Sequence, residues 1–159
     1  MSLGEGIPKI CVPITGKTEE EIKEEGKKAV EAGAELVEWR ADFFEALEDR
    51  EALEKMLLSL SAILGQVPLL FTIRTSKEGG NREIRIKDYV NYNMWACETG
   101  KVDFIDVEAF GEESLKKELI QSLQEKGTRV IASYHDFEKT ESKEELKNRF
   151  RALYHSGGD

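Results

Sequence analysis

Cysteine and histidine are scarce in this chain, with two of each in the whole sequence. Cys11 and Cys97 form no Cys-x-x-Cys pair, and only His135 and His155 could join them, so zinc and disulfide readings are both weak. Two buried thiols in a reducing cytosol are expected instead. Positive charge is also short: 32 acidic against 23 basic residues leave a net charge of −9. That balance repels nucleic acid and anionic membrane surfaces. No apolar run approaches the ~20 residues that a membrane helix needs. The start Met1-Ser2-Leu3-Gly4 lacks the basic-then-apolar order of a signal peptide, and Ser2-Leu3 reads as a cloning remnant. The expected protein is cytoplasmic, metal-free, and a partner of neither nucleic acid nor membrane.

What is present is a repeat. Apolar residues mark helical faces through Ile22, Gly26, Ala29 and Val30, through Leu53, Met56, Leu57, Leu60, Ile63 and Leu64, and through Ile86, Tyr89, Val90 and Cys97. Two further stripes join Leu115, Leu119, Ile120 and Leu123, then Leu146, Phe150 and Leu153. Thr18-x-x-Glu21 and Ser142-x-x-Glu145 fit capping boxes, and the stripes end at Gly33, Gly65, Gly100, Gly127 and Gly157, where a left-handed residue stops a helix. Strands are expected at Ile10 to Ile14, Leu36 to Arg40, Leu69 to Arg74, Phe104 to Glu108 and Val130 to His135. Five βα units at roughly 30-residue spacing predict a parallel sheet in a single domain covering residues 1–159.

Five units suit either an open doubly wound sheet or part of a (β/α)₈ barrel, and length alone favours the open sheet. The strands argue otherwise. Alternation puts Leu36, Glu38 and Arg40 on one face of the second strand, Leu70, Thr72 and Arg74 on one face of the third, and Phe104, Asp106 and Glu108 on one face of the fourth. Ile131, Ser133 and His135 continue the plan, apolar at the start and polar towards the C-terminal end. Strands covered on both faces by helices should be near-continuously apolar, whereas barrel strands end in an active site at the C-terminal rim. On this reading Glu38 and Asp106 neutralise Arg40 and Arg74, since an unpaired buried charge is costly. Asp42, just past the strand, is expected to orient neighbours or cap a turn. His135 ends a strand within reach of Glu78, a carboxylate able to set its tautomer.

Other features carry less. Gly16-Lys17-Thr18 imitates the end of a phosphate-binding loop, but the required earlier glycine is Cys11. Glu78-Gly79-Gly80-Asn81 suits a mobile rim loop. Trp39, Phe71 and Tyr134 are expected to pack under helices, and His155 has no assigned role.

Read together, Glu38-Trp39-Arg40-x-Asp42, Phe71-Thr72-Ile73-Arg74 followed by Glu78-Gly79-Gly80, Asp106-Val107-Glu108, and Ser133-Tyr134-His135-Asp136-Phe137 resemble type I 3-dehydroquinate dehydratase from Pro8 to Asp159. The resemblance implies a (β/α)₈ TIM barrel of the shikimate pathway that dehydrates 3-dehydroquinate to 3-dehydroshikimate without metal or organic cofactor. It implies a lysine that forms a Schiff base with the substrate ketone, His135 as general acid and base, and Glu78 as its partner. Glu38, Arg40 and Arg74 match residues that hold substrate hydroxyls; Asp42 and Asp106 support them. The Schiff-base lysine would lie on a sixth strand, beyond Asp159. No lysine here replaces it obviously: Lys9 and Lys101 fall at strand starts, and Lys77 and Lys139 lie in rim loops. Pro13, where the family can carry serine, is a smaller departure. The expectation is a five-unit, inactive portion of the barrel, a homo-oligomer through its exposed edges. The alternatives are a flavodoxin-like or receiver-like binding module, a class I aldolase, or a half-barrel that works with a complementary chain.

Overall fold

The computed structural model describes residues 6–111 and 113–159; Met1 to Gly4, including Ser2-Leu3, lie outside them. Five parallel strands form one sheet, β1 (Cys11–Ile14), β2 (Leu36–Arg40), β3 (Leu69–Thr72), β4 (Phe104–Glu108) and β5 (Arg129–Ser133). They are ordered as in the chain, β1-β2-β3-β4-β5. The helices are α1 (Glu19–Glu31), α2 (Arg50–Leu64), α3 (Ile86–Glu98), α4 (Glu113–Glu125) and α5 (Lys143–Ser156). A flavodoxin-like sheet requires a reversal in strand order. The sequential order excludes that binding-module reading and is the winding of a barrel wall.

The chain's local chemistry starts and stops these elements. Thr18 and Ser142 each form the reciprocal capping box with Glu21 and Glu145, and Asp49 caps α2 by accepting from the N–H groups of Glu51 and Ala52. Gly33 and Gly65, with φ of 83° and 61°, occupy the positive-φ region in which other residues are strained. Gly26 makes room between α1 and α2: a Cβ there would sit 2.8 Å from Leu60 Cδ1.

Alternation divides the interior as expected. Val37, Trp39, Leu69, Phe71, Ile105 and Val107 join the large core under the helices, where the Trp39 ring meets Phe44 and Phe71 at 5.7 Å each. Leu36, Leu70 and Phe104, with Ile131 beside them, form a separate small cluster on the opposite face. This is the apolar floor of the barrel wall, and the polar residues stand above it.

Several expectations need correction. β3 ends at Thr72 and β5 at Ser133, so Arg74 and His135 lie beyond the strands. Their N–H groups donate to carboxylates, Arg74 N to Asp42 Oδ1 at 3.2 Å and His135 N to Glu78 Oε2 at 3.0 Å, rather than to a neighbouring strand. Cys97 is buried but Cys11 is exposed, because it opens the edge strand β1. Helix α5 fully buries none of its residues: Leu146 and Leu153 of its stripe are half-buried, and Phe150 is 68% exposed. Leu115 is likewise exposed. Tyr134 does lie under a helix, half-buried between Phe110 and Arg149 of α5.

Candidate active site

Polar groups converge where β2 to β5 end. The centre is Arg74, itself buried. Its Nη2 lies 3.0 Å from Asp106 Oδ1, and its Nη1 lies 3.5 Å from both Glu78 Oε2 and Glu108 Oε1. Nη1 also donates to Ser133 Oγ at 3.0 Å, and that hydroxyl donates to Asp106 Oδ1 at 2.8 Å. One guanidinium thus meets three carboxylates, an arrangement its planar fork of donors permits and a lysine's point charge does not. Glu108 is held from a second side, accepting from Thr75 N at 2.7 Å and Thr75 Oγ1 at 2.8 Å.

Asp42 is fully buried and organises the end of β2. Its carboxylate takes a bidentate pair from Arg40, at 2.8 and 2.9 Å, and accepts from the N–H groups of Arg74 and Asn81. The expected pairing of Arg40 with Glu38 is therefore corrected: Asp42 sits two residues on, on a turn that brings its carboxylate back to the guanidinium. Glu38 is half-buried and accepts no side-chain hydrogen bond from the described residues. Its carboxylate remains available on the inner face of β2.

His135 meets Glu78 twice. Glu78 Oε2 accepts from the His135 backbone N–H and lies 3.1 Å from its Nδ1. The carboxylate therefore fixes the Nδ1–H tautomer and leaves Nε2 as the basic nitrogen. Burial pushes the Glu78 carboxyl up, opposed by the His135 hydrogen bond; the charge of Glu108 adds to the rise and that of Arg74 opposes it. The Asp106 carboxyl is raised to about 6, chiefly by burial, against the pull of Arg74 and Ser133. The Phe137 ring stacks beside the His135 imidazole at 6.4 Å and 12°.

The Glu78-Gly79-Gly80-Asn81 segment is a built turn rather than a loose loop. Ser76–Glu78 form a 3₁₀ turn, Gly80 N donates to Thr75 O, and Thr75 bridges to Arg82. Arg82 reaches back to the carbonyls of Asp42 and Phe44. The structure thus brings Arg74, Glu78, Asp106 and His135 into one cluster, joins Arg40 and Asp42 beside it, and places Glu38 on the same inner face. Sequence reasoning did not select Glu108, Thr75 or Arg82. Only Glu108 had a signal, the alternation of Asp106-Val107-Glu108.

Of the four lysines considered above, Lys77 lines a surface hollow together with Glu78 and His135. Lys9 pairs with Glu35 at the strand-start end, Lys101 is exposed before β4, and Lys77 and Lys139 are exposed in rim segments. Among the described residues there is no group of three or more His, Cys, Asp or Glu side chains able to hold a metal ion. No described helix is long and apolar enough to cross a membrane.

A sequentially ordered parallel wall, apolar at its floor and charged at its C-terminal rim, defines a protein of the (β/α)-barrel class. Residues 10–159 match the family described as type I 3-dehydroquinase, and the chain belongs to that family. It is 44% identical to a 3-dehydroquinate dehydratase of Clostridium botulinum, and 41% identical to one of Listeria monocytogenes, each over the whole chain and 63% of the relative. The chain thus spans about 63% of the length of these curated relatives. Among solved structures, a type I 3-dehydroquinate dehydratase of Clostridium difficile, with covalently modified comenic acid, superposes with a TM-score of 0.95 at 39% identity. The match covers 99% of this chain and 62% of that one. A putative deoxyribose-phosphate aldolase of Toxoplasma gondii, with a TM-score of 0.69 at 14% identity over 95% of this chain and 61% of that one, is similar in fold alone.

Proposed function

We propose that these residues form the acid–base and substrate-holding side of a 3-dehydroquinate dehydratase site, which removes water from 3-dehydroquinate to give 3-dehydroshikimate. The observation that carries this reading is the double contact of Glu78 with His135 at the rim, which leaves Nε2 as the basic nitrogen. In the proposed reaction a lysine amine adds to the substrate ketone, water leaves, and the resulting iminium acidifies the adjacent carbon. His135 Nε2 takes that proton and returns one to the departing hydroxyl, and hydrolysis of the imine releases product and lysine. Glu38 and Arg40 hold ring hydroxyls. Arg74 presents one edge to the substrate while it keeps the carboxylates of Glu78, Asp106 and Glu108 in place. The covalently modified comenic acid in the Clostridium difficile relative supports covalent ligand chemistry in the family.

On this reading the 159-residue chain is one domain, the first five units of the barrel, and by itself lacks the amine. It is inactive alone and associates through the β1 and β5 edges of the sheet, although Asp159 already occupies both backbone groups of Val130 on the β5 side. Borohydride added with 3-dehydroquinate tests the first point: an unmodified mass near 18.0 kDa is expected, and a trapped adduct would overturn it. The activity itself is tested by mixing the chain with the C-terminal portion of the Clostridium botulinum relative. Ultraviolet detection of the conjugated product is expected, with its loss in His135→Ala. A folded complex with no turnover would sink the dehydratase reading. A clean monomer in light scattering at high concentration would remove the proposed self-association.

A further inference from the structure

The segment that carries His135 is gripped from outside the site. The Arg149 guanidinium carbon lies 3.7 Å from the centroid of the Tyr134 ring and 4.7 Å from that of Phe110. The two rings meet edge to face at 5.1 Å. Phe110 follows β4, Tyr134 follows β5 and Arg149 belongs to α5, so one side chain joins three parts of the fold. Its charge is met by Glu141, in the segment before α5, through bonds from both Nε and Nη2. The Glu141 side chain is only 8% exposed. A guanidinium stacked on rings and bound to a shielded carboxylate holds its geometry far better than an exposed ion pair does.

Just past α5, Asp159 pairs with both backbone groups of Val130 and Gln124 donates to the Gly157 carbonyl; from within the helix, Arg149 is the side chain that reaches the residue before His135. None of the helix residues is fully buried: Leu146 and Leu153 are half-buried and Phe150 is exposed. Tyr134 directly precedes His135, and their side chains engage opposite sides: Tyr134 meets Arg149 outside, and His135 meets Glu78 within. We infer that Arg149 is a positioning residue, which clamps Tyr134 so that the N–H and Nδ1 of His135 both reach Glu78 Oε2. It acts through Tyr134 and touches neither His135 nor Glu78. Its meaning for catalysis rests on the acid–base role proposed for His135, but the geometry can be tested without turnover.

The test uses the whole chain labelled with ¹⁵N, reading the His135 tautomer from its side-chain spectrum and the exchange rate of its backbone amide. Arg149→Lys keeps the charge opposite Glu141 but loses the stacked plane, and Arg149→Met removes both. Both variants are expected to mix the His135 tautomers and speed its amide exchange roughly tenfold or more, with β1 to β3 amides unchanged. An unaltered His135, or protection lost evenly across β1 to β3, would overturn the clamp. If Arg149→Met does not fold, Arg149→Lys decides alone. Glu78→Gln separates the two ideas. No effect of that variant on His135 would defeat the Glu78–His135 pairing itself, whereas an effect there with none from Arg149 would defeat only the clamp.

Discussion

Gly80 packs so closely against Arg74 that a Cβ on it would lie 1.8 Å from the Arg74 carbonyl oxygen and 2.8 Å from that of Thr75. Both obstacles are backbone atoms, so no side-chain rotation relieves them. This contact folds the 75–82 turn back on itself and delivers the Glu78 carboxylate to His135. Gly80→Ala must open the turn. A loss of roughly 2–3 kcal/mol in urea unfolding is expected, together with loss of the Nδ1–H signal of His135. A variant as stable as the parent would show that the turn is looser than described here.

Asp106 makes the site sensitive to pH. Its carboxyl rises from an ordinary 3.8 to about 6 on folding, because burial outweighs the attraction of Arg74. Between these values the folded chain binds more protons at this residue than the unfolded chain does. The Asp106 contribution to stability is therefore fully present below pH 4 and is lost as pH rises through 6. The shift corresponds to a change of up to about 3 kcal/mol. Asp106→Asn should flatten the stability profile between pH 4 and 6 relative to the parent, as read from urea midpoints. Parallel profiles for the two proteins would refute the assignment.

Asp42 should matter more than the arginine it binds. Asp42→Ala strands the Arg40 guanidinium and leaves the N–H groups of Arg74 and Asn81 without their acceptor. Arg40→Ala removes the bidentate pair and the stacking on Phe43, but leaves Asp42 its Arg74 and Asn81 N–H donors. The expected cost is about 3–5 kcal/mol for Asp42→Ala and clearly less for Arg40→Ala, whose side chain is partly exposed. Equal losses in thermal or chemical unfolding would contradict this ranking.

The two capping boxes should differ in their reach. Thr18→Ala weakens α1, which buries Ile22, Gly26 and Ala29, and should lower global stability by about 1 kcal/mol. Ser142→Ala weakens α5, which fully buries none of its residues. That change should fray the helix in amide exchange with little effect on the main unfolding midpoint. A comparable midpoint shift in both variants would show that α5 is coupled to the core.

Most of the architecture was legible because its signals are periodic or local. The stripe through Leu53, Met56, Leu57 and Leu60 and the alternation of Glu38 with Trp39 report a residue's own face, and Gly33 reports its own backbone angle. The same logic found α5, but Leu146, Phe150 and Leu153 cannot say how far the stripe is covered: the two leucines are half-buried and Phe150 is exposed. The candidate site was legible as a set of residues at strand ends. Two pairs within it were legible too, Arg74 with Asp106 and His135 with Glu78; the partner of Arg40 was not, since Glu38 and Asp42 flank it equally closely in the chain.

The sequence by itself determined five βα units, the caps and glycines that bound their helices, and the split of each strand into an apolar and a polar face, because these follow from neighbours within one turn or one pleat. Only the tertiary structure decided that Arg74 meets Glu78 and Glu108 as well as Asp106, that Asp42 takes Arg40, and that Arg149 stacks on Tyr134. Those choices depend on how β2, β3, β4 and β5 lie side by side. A charge brought out of water pairs with whichever opposite charge the packed strands place within reach.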